Sequence, residues 1–135
     1  MPTLIDTSLW IDFTRLRSPQ KLKRFVAPFI LDPDAYLAEP ITFELLRHAS
    51  PAEAKQLTQQ FQTVPMLATP STLWTDAARL GQTCRQNNLT IGSLDLLIAA
   101  IALHHSAEVA TFDDDYQKIA NVSKLQVKLL KRPTP

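Results

Sequence analysis

Only two glycines, Gly81 and Gly92, occur among the 135 residues. They cannot write G-x-G-x-x-G or G-x-x-x-x-G-K-[ST], so loops that wrap phosphates with bare backbone amides are excluded, and with them P-loop NTPases and Rossmann dehydrogenases. Cys84 is the only cysteine. An intrachain disulfide and a thiolate zinc site are therefore excluded, and a reducing compartment is expected. No apolar run approaches the ~20 residues a membrane span needs, and the longest, Leu96 to Leu103, reads as a buried helix. The opening Met1-Pro2-Thr3-Leu4-Ile5-Asp6 has neither a basic leader nor an apolar signal core, so a cytoplasmic location is expected. His48, His104 and His105 form no H-E-x-x-H, and with Cys84 they read as structural residues.

What is present is a globular composition, 45% hydrophobic and 20% charged. That suffices for one packed core, and a single domain over residues 1–135 is expected, with Pro133-Thr134-Pro135 as a frayed tail. The net charge of +1 conceals two basic clusters. Arg15, Arg17, Lys21, Lys23 and Arg24 lie near the start, and Lys124, Lys128, Lys131 and Arg132 near the end.

Hydrophobic spacing predicts a buried strand at 3–6 feeding a helix with Leu9, Trp10 and Phe13. An amphipathic, basic helix follows at 20–29, with Leu22, Phe25, Val26 and Phe29 on one face. A short strand is expected at 36–38, a helix from Pro40 to His48 and another from Pro51 to about Gln60. Val64 to Ala68 reads as an edge strand or an extended connection, because Pro65 cannot donate to a ladder. A long helix from Pro70 to about Gln86 is expected to present Leu73, Trp74, Ala77 and Leu80 together. Ser93 is expected to cap a nearly all-apolar helix to about His105. A strand at 108–111, a helix at 114–121 and a strand at 125–130 complete the order. Alternation of this kind predicts a three-layer α/β fold, a mainly parallel sheet of four or five strands with helices on both faces.

Four acids occupy places that solvation explains poorly. Asp6 ends the first strand, Glu44 sits in Ile41-Thr42-Phe43-Glu44-Leu45-Leu46, Asp95 lies in the first turn of an otherwise apolar helix, and Asp113 follows Ala110-Thr111-Phe112. Each alone has an ordinary explanation as a cap or a solvated charge. Together they converge if the sheet is parallel, because ligands bind at the carboxyl ends of parallel strands. Several carboxylates in one crevice require a cation, and all-oxygen ligation suits Mg²⁺ or Mn²⁺. Outside these four, nine acids face 14 Lys and Arg, a basic frame suited to a polyanion.

Four segments carry a resemblance: Leu4-Ile5-Asp6-Thr7-Ser8, Ile41-Thr42-Phe43-Glu44-Leu45, Thr90-Ile91-Gly92-Ser93-Leu94-Asp95-Leu96-Leu97-Ile98-Ala99-Ala100 and Thr111-Phe112-Asp113-Asp114-Asp115-Tyr116. In this order and spacing the chain resembles the PIN-domain ribonucleases, and within them the toxin component of VapBC toxin-antitoxin pairs. The resemblance covers nearly the whole chain. It implies a Mg²⁺-dependent endoribonuclease with Asp6, Glu44, Asp95 and Asp113 as an acidic quartet and Asp6, Asp95 and Asp113 on the metal. Asp115 is implied as a second acid of T-x-D-x-D, with Thr7, Ser8 and Thr111 as supporting hydroxyls. Asp114 replaces the variable residue between the two acids, and Asp113 is the expected one of the three to approach the metal. The implied partners are RNA, a second copy of the chain, and an antitoxin seated on a groove lined by Trp10, Phe13, Phe25 and Phe29.

Three rival readings differ in chemistry. A PIN-like RNA- or protein-binding regulatory module without catalysis predicts no cleavage and little magnesium affinity. A haloacid dehalogenase-type phosphohydrolase needs D-x-D-x-T, and Ser8 stands where its second acid belongs. A phosphoaspartyl receiver needs an acidic pair near the first strand and a phosphoacceptor after the third, and neither is found.

Overall fold

The computed structural model describes residues 1–134. Pro135, the last residue of the expected tail, lies outside them, while the Thr134 carbonyl accepts from Lys21 Nζ at 2.5 Å. The chain runs β1 (Thr3–Ile5), α1 (Thr7–Thr14), α2 (Gln20–Ile30), β2 (Ala35–Tyr36), α3 (Glu39–Arg47) and α4 (Pro51–Phe61). It continues through α5 (Leu73–Gln86), α6 (Ser93–His104), β3 (Glu108–Thr111), α7 (Asp115–Asn121) and β4 (Gln126–Leu129).

All strand pairs are parallel, in the order β2-β1-β3-β4. Leu4 pairs with Val109 and Ile5 with Ala110. Successive strand residues point to opposite faces, and all four are fully buried. Both faces of the central pair are therefore covered by helices, as the alternation of elements predicts. From β1 the chain goes to β2 on one side and later reaches β3 on the other. The order thus reverses between β1 and β3, which opens a crevice beyond their carboxyl ends.

The structure bears out some expectations and corrects others. Of the two readings of Val64 to Ala68, the extended connection holds: the segment reaches the sheet through a single parallel bridge, Leu37 to Met66. Leu37 N donates to the Pro65 carbonyl and Leu67 N to the Leu37 carbonyl, but the Pro65 nitrogen has no hydrogen to extend the ladder, and among the described residues the sheet has four strands. Helix α5 starts at Leu73, three residues after Pro70, and its inner face is Leu73, Ala77, Leu80 and Cys84. Trp74 points outward, 74% exposed. The N-cap of α6 is Gly92, with Ser93 already inside the helix and no side-chain cap. Helix α4 follows its sequence closely: Pro51 opens it, and Ser50 and Glu53 form a reciprocal capping box.

Trp10 is fully buried and meets Phe61 edge to face at 5.7 Å. It therefore belongs to the core and offers no exposed ring to a groove. With Phe13, Ile30, Ala35 and Val64 it lines a cavity of about 280 Å³ beside β2. Phe25 and Phe29 stand elsewhere, in contact with each other at 6.0 Å and, through Phe25, with Phe112 at 6.2 Å. The four aromatics of the expected groove thus occupy two settings.

Candidate active site

The crevice at the β1/β3 switch is built from the ends of those two strands. Asp6 N donates to the Ala110 carbonyl, carrying the ladder one residue past β1 before α1 begins. Asp6 is the N-cap of α1 and accepts from Ser8 N. The residue is 4% exposed, yet among the described residues no cation lies against it. Hydroxyl groups satisfy it instead. Ser8 Oγ donates to Oδ2 at 2.8 Å, Thr111 Oγ1 to Oδ2 at 2.7 Å, and Tyr116 Oη to Oδ1 at 3.1 Å. Two of these hydroxyls also brace the loop after β3: Phe112 N donates to Ser8 Oγ and Asp113 N to Thr111 Oγ1. Of the supporting hydroxyls expected from the sequence, Ser8 and Thr111 are in this network. Thr7 is not, and its buried Oγ1 has no hydrogen-bond partner among the described residues.

In front of Asp6 stand three further carboxylates. Asp95, Asp113 and Asp115 each bring an oxygen to within 4.8 Å of the other two. Asp95 comes from the first turn of α6, Asp113 from the loop after β3 and Asp115 from the first turn of α7. Asp115 N donates to Asp113 Oδ1 at 2.9 Å, which sets the spacing of that pair. Asp114 between them is exposed and serves as the backbone N-cap of α7. Asp115 also meets Lys118 Nζ at 3.2 Å.

The group of three includes Asp115 and leaves out Asp6 and Glu44. Asp6 lies behind it, joined through Tyr116, whose hydroxyl is 3.1 Å from both Asp6 Oδ1 and Asp95 Oδ1. Glu44 projects from α3 beside Arg15, His48 and Glu53. Its charge still reaches Asp95.

Burial raises the Asp95 carboxyl from 3.8 to about 6, and the negative charges of Asp6, Asp113 and Glu44 add to this, while the Tyr116 bond opposes it. Burial, reinforced by Asp6 and Asp95, holds the Tyr116 phenol well above its ordinary value of 10. Tyr116 therefore remains a proton donor. Its one hydrogen cannot serve two acceptors fully, so a protonated Asp95 donating to Tyr116 Oη, which in turn donates to Asp6, completes the chain of bonds at low pH. Tyr116 is the functional residue to which the sequence pattern assigns no role. An aromatic after three acids carries no mark that it turns inward.

Three converging carboxylates repel one another, and among the described residues the single ammonium of Lys118, on Asp115, does not balance them. Their donors are all hard oxygens. That set fits a divalent ion such as Mg²⁺ or Mn²⁺ and offers nothing to a thiophilic one. The chain matches the PIN domain family model over residues 3–122. It belongs to the PIN domain family. Two curated relatives, VapC ribonuclease Mb1587 of Mycobacterium bovis and Ribonuclease VapC11 of Mycobacterium tuberculosis, are each 28% identical over 129 residues, covering 91% of this chain and 95% of theirs. Among solved structures, VapBC-1 from nontypeable Haemophilus influenzae superposes with a TM-score of 0.73 at 20% identity, covering 96% of this chain and 98% of that one. VapBC2 from Rickettsia felis, bound to a promoter DNA fragment, does so with a TM-score of 0.72 at 14% identity over 97% and 100% of the two chains. These two share the fold. PIN nucleases generally use a divalent metal, and the three carboxylates at the β1/β3 crevice are a group that could hold one.

Proposed function

We propose that this chain is a Mg²⁺-dependent endoribonuclease, one nuclease domain over residues 1–135, and the toxin of a cytoplasmic toxin-antitoxin pair. The observation that carries the reading is the convergence of Asp95, Asp113 and Asp115 at the switch point of the sheet. The names of the curated relatives support RNA as the substrate, and a further solved neighbour, named as a member of the VapBC family of toxin-antitoxin systems, supports an antitoxin as the partner.

Asp95, Asp113 and Asp115 would hold the ion, with Asp6 reaching it through water, since Asp6 Oδ2 is already occupied by hydroxyl donors. The ion supplies a water of lowered pKa and positive charge for the phosphate oxygens. Asp6 and Tyr116 fix the direction of Asp95, so that its carboxylate does not have to reorganise during the reaction. Glu44, outside the group of three but near enough for its charge to act on Asp95, would orient the attacking water. Mn²⁺ has the same ligand preferences and would serve in place of Mg²⁺.

A second copy of the chain has an apolar face to bind. Phe43, Leu46, Met66 and Trp74 are 57%, 40%, 45% and 74% exposed, and Phe43 and Trp74 flank an apolar cavity of about 350 Å³. A homodimer that buries this face is part of the reading, and a monomer in sedimentation at micromolar concentration removes that part.

The whole proposal is tested by incubating RNA with the purified chain. Cleavage is expected in Mg²⁺, none in chelator, and none when the product of a small neighbouring reading frame is added in excess. Intact RNA in Mg²⁺ with a correctly folded chain would favour the non-catalytic binding module instead.

A further inference from the structure

An acidic crevice that receives RNA needs fixed positive charge beside it, because the cation alone does not hold the rest of the polyanion. The two basic clusters of the sequence approach that need from opposite ends of the chain. Leu130 N donates to the Thr111 carbonyl at 2.8 Å, which ties the segment after β4 to the end of β3, two residues before Asp113. Two residues further on, Arg132 is fastened at two points. Its Nε donates to Asp12 Oδ2 on α1 at 2.8 Å, and its guanidinium carbon lies 4.4 Å from the centroid of the Phe112 ring.

The anchor is sheltered and the head group is not: the Asp12 side chain is 14% exposed, that of Arg132 52%. Among the described residues, neither terminal nitrogen of Arg132 has a hydrogen-bond partner. The ring and the carboxylate hold the guanidinium between them, and among the described residues both terminal amino groups are left without a partner. Phe112, which supports it, is the residue between Thr111 of the Asp6 network and Asp113 of the acidic group. Beyond Phe112 lie Phe25 and Phe29, with Lys128 Nζ 5.6 Å from the centroid of the Phe29 ring.

We propose that Arg132, held by Asp12 and Phe112, binds an RNA backbone phosphate adjacent to the one positioned at the acidic group. This rests on the ribonuclease reading and names the residue that grips its substrate. A guanidinium with both terminal amino groups free is a fork for two phosphate oxygens, and fixing it in advance reduces the entropy lost on binding. Lys128 offers a further positive charge along the same side.

The test is equilibrium binding of a labelled oligouridylate in chelator, so that nothing is cut, over a series of salt concentrations. Each phosphate contact with single-stranded RNA contributes about 0.7 to the slope of log K against log salt. Arg132→Gln is expected to weaken binding about tenfold at low salt and to reduce the slope by about 0.7. Arg132→Lys should recover the slope with only part of the affinity, because it keeps the charge and loses the fork. Lys55→Gln, an exposed cation on α4, should change neither. A lowered melting temperature in Arg132→Gln with the slope unchanged would make Arg132 a strap for the chain end and overturn the proposal. No measurable binding by the wild type would overturn it too. If the binding series comes out as expected but the wild type cuts no RNA in Mg²⁺, the phosphate site stands and the ribonuclease reading fails.

Discussion

Replacing Asp95 with Asn is expected to reduce RNA cleavage by at least about a thousandfold while making the metal-free protein more stable. The loss follows because an amide is a poor ligand for Mg²⁺ and removes one of three converging charges, which costs several kcal/mol of transition-state stabilisation. The gain in stability follows from the raised carboxyl of Asp95. The folded state binds that proton more tightly than the unfolded chain does, so the metal-free fold loses stability as pH rises from 3.8 through about 6. Asn removes that decline. The carboxyl is partly exposed to solvent, which screens the effect, so a gain of about 1 kcal/mol near neutral pH is expected. Cleavage by the wild type should move with pH in the opposite sense, rising as Asp95 loses its proton, because the cation binds only the ionised group. A cleavage assay and thermal melts with chelator, run at pH values on either side of about 6, read all three effects.

At Asp6 the two obvious substitutions should part. Asp6→Ala leaves the hydroxyls of Ser8 and Thr111 without their acceptor, leaves Tyr116 with Asp95 alone, and removes the cap of α1. Orphaned buried donors cost about 1–3 kcal/mol apiece, and a lost cap about 1. Ser8 is part exposed and can turn to water, so a total of about 3 kcal/mol is expected, or roughly 10 °C in melting temperature. Asp6→Asn should be near neutral for stability. In one orientation its oxygen still accepts from Ser8 and Thr111, and its amide donates to Tyr116 Oη, which is then free to donate to Asp95. Loss of the Asp6 charge also relieves the repulsion that raises Asp95. Cleavage should fall in both variants. Equal destabilisation by Ala and Asn would mean that the charge of Asp6, rather than its hydrogen bonds, holds the two strand ends together.

The parts of this site that are legible in the sequence are those where an acid interrupts an apolar run. Asp6 after Leu4-Ile5 and Asp95 inside an apolar helix have no cheap place in a core, and taken together with the parallel sheet the pattern directs both to a crevice. The parallel sheet is legible for the same reason, since its central strands are short, apolar and separated by helices. What a linear pattern does not carry is direction. Phe112, Asp113, Asp114, Asp115 and Tyr116 look alike as a run, and only the turn of backbone into α7 sends Asp113, Asp115 and Tyr116 inward and Asp114 out. Trp74 has the spacing of an inner-face residue and points to solvent, because Leu73, Ala77, Leu80 and Cys84 already fill the contact with the core. Trp10 is core, as its helical spacing with Leu9 and Phe13 predicts, and it is the resemblance that sets its ring in a groove. Arg132 is invisible as a site residue because its partners, Asp12 and Phe112, are 120 and 20 positions away in the chain.

The central claim, that Asp95, Asp113 and Asp115 form a divalent-metal site, is tested most directly by crystals grown with Mn²⁺ and measured for anomalous scattering. One peak is expected within about 2.2 Å of an oxygen from each of the three carboxylates, with Asp6 linked to it through water and no peak at the same position in Asp95→Asn. A protein that takes up no manganese at this crevice, or that binds it at exposed Asp114 while Asp95 stays bonded to Tyr116 alone, would contradict the account.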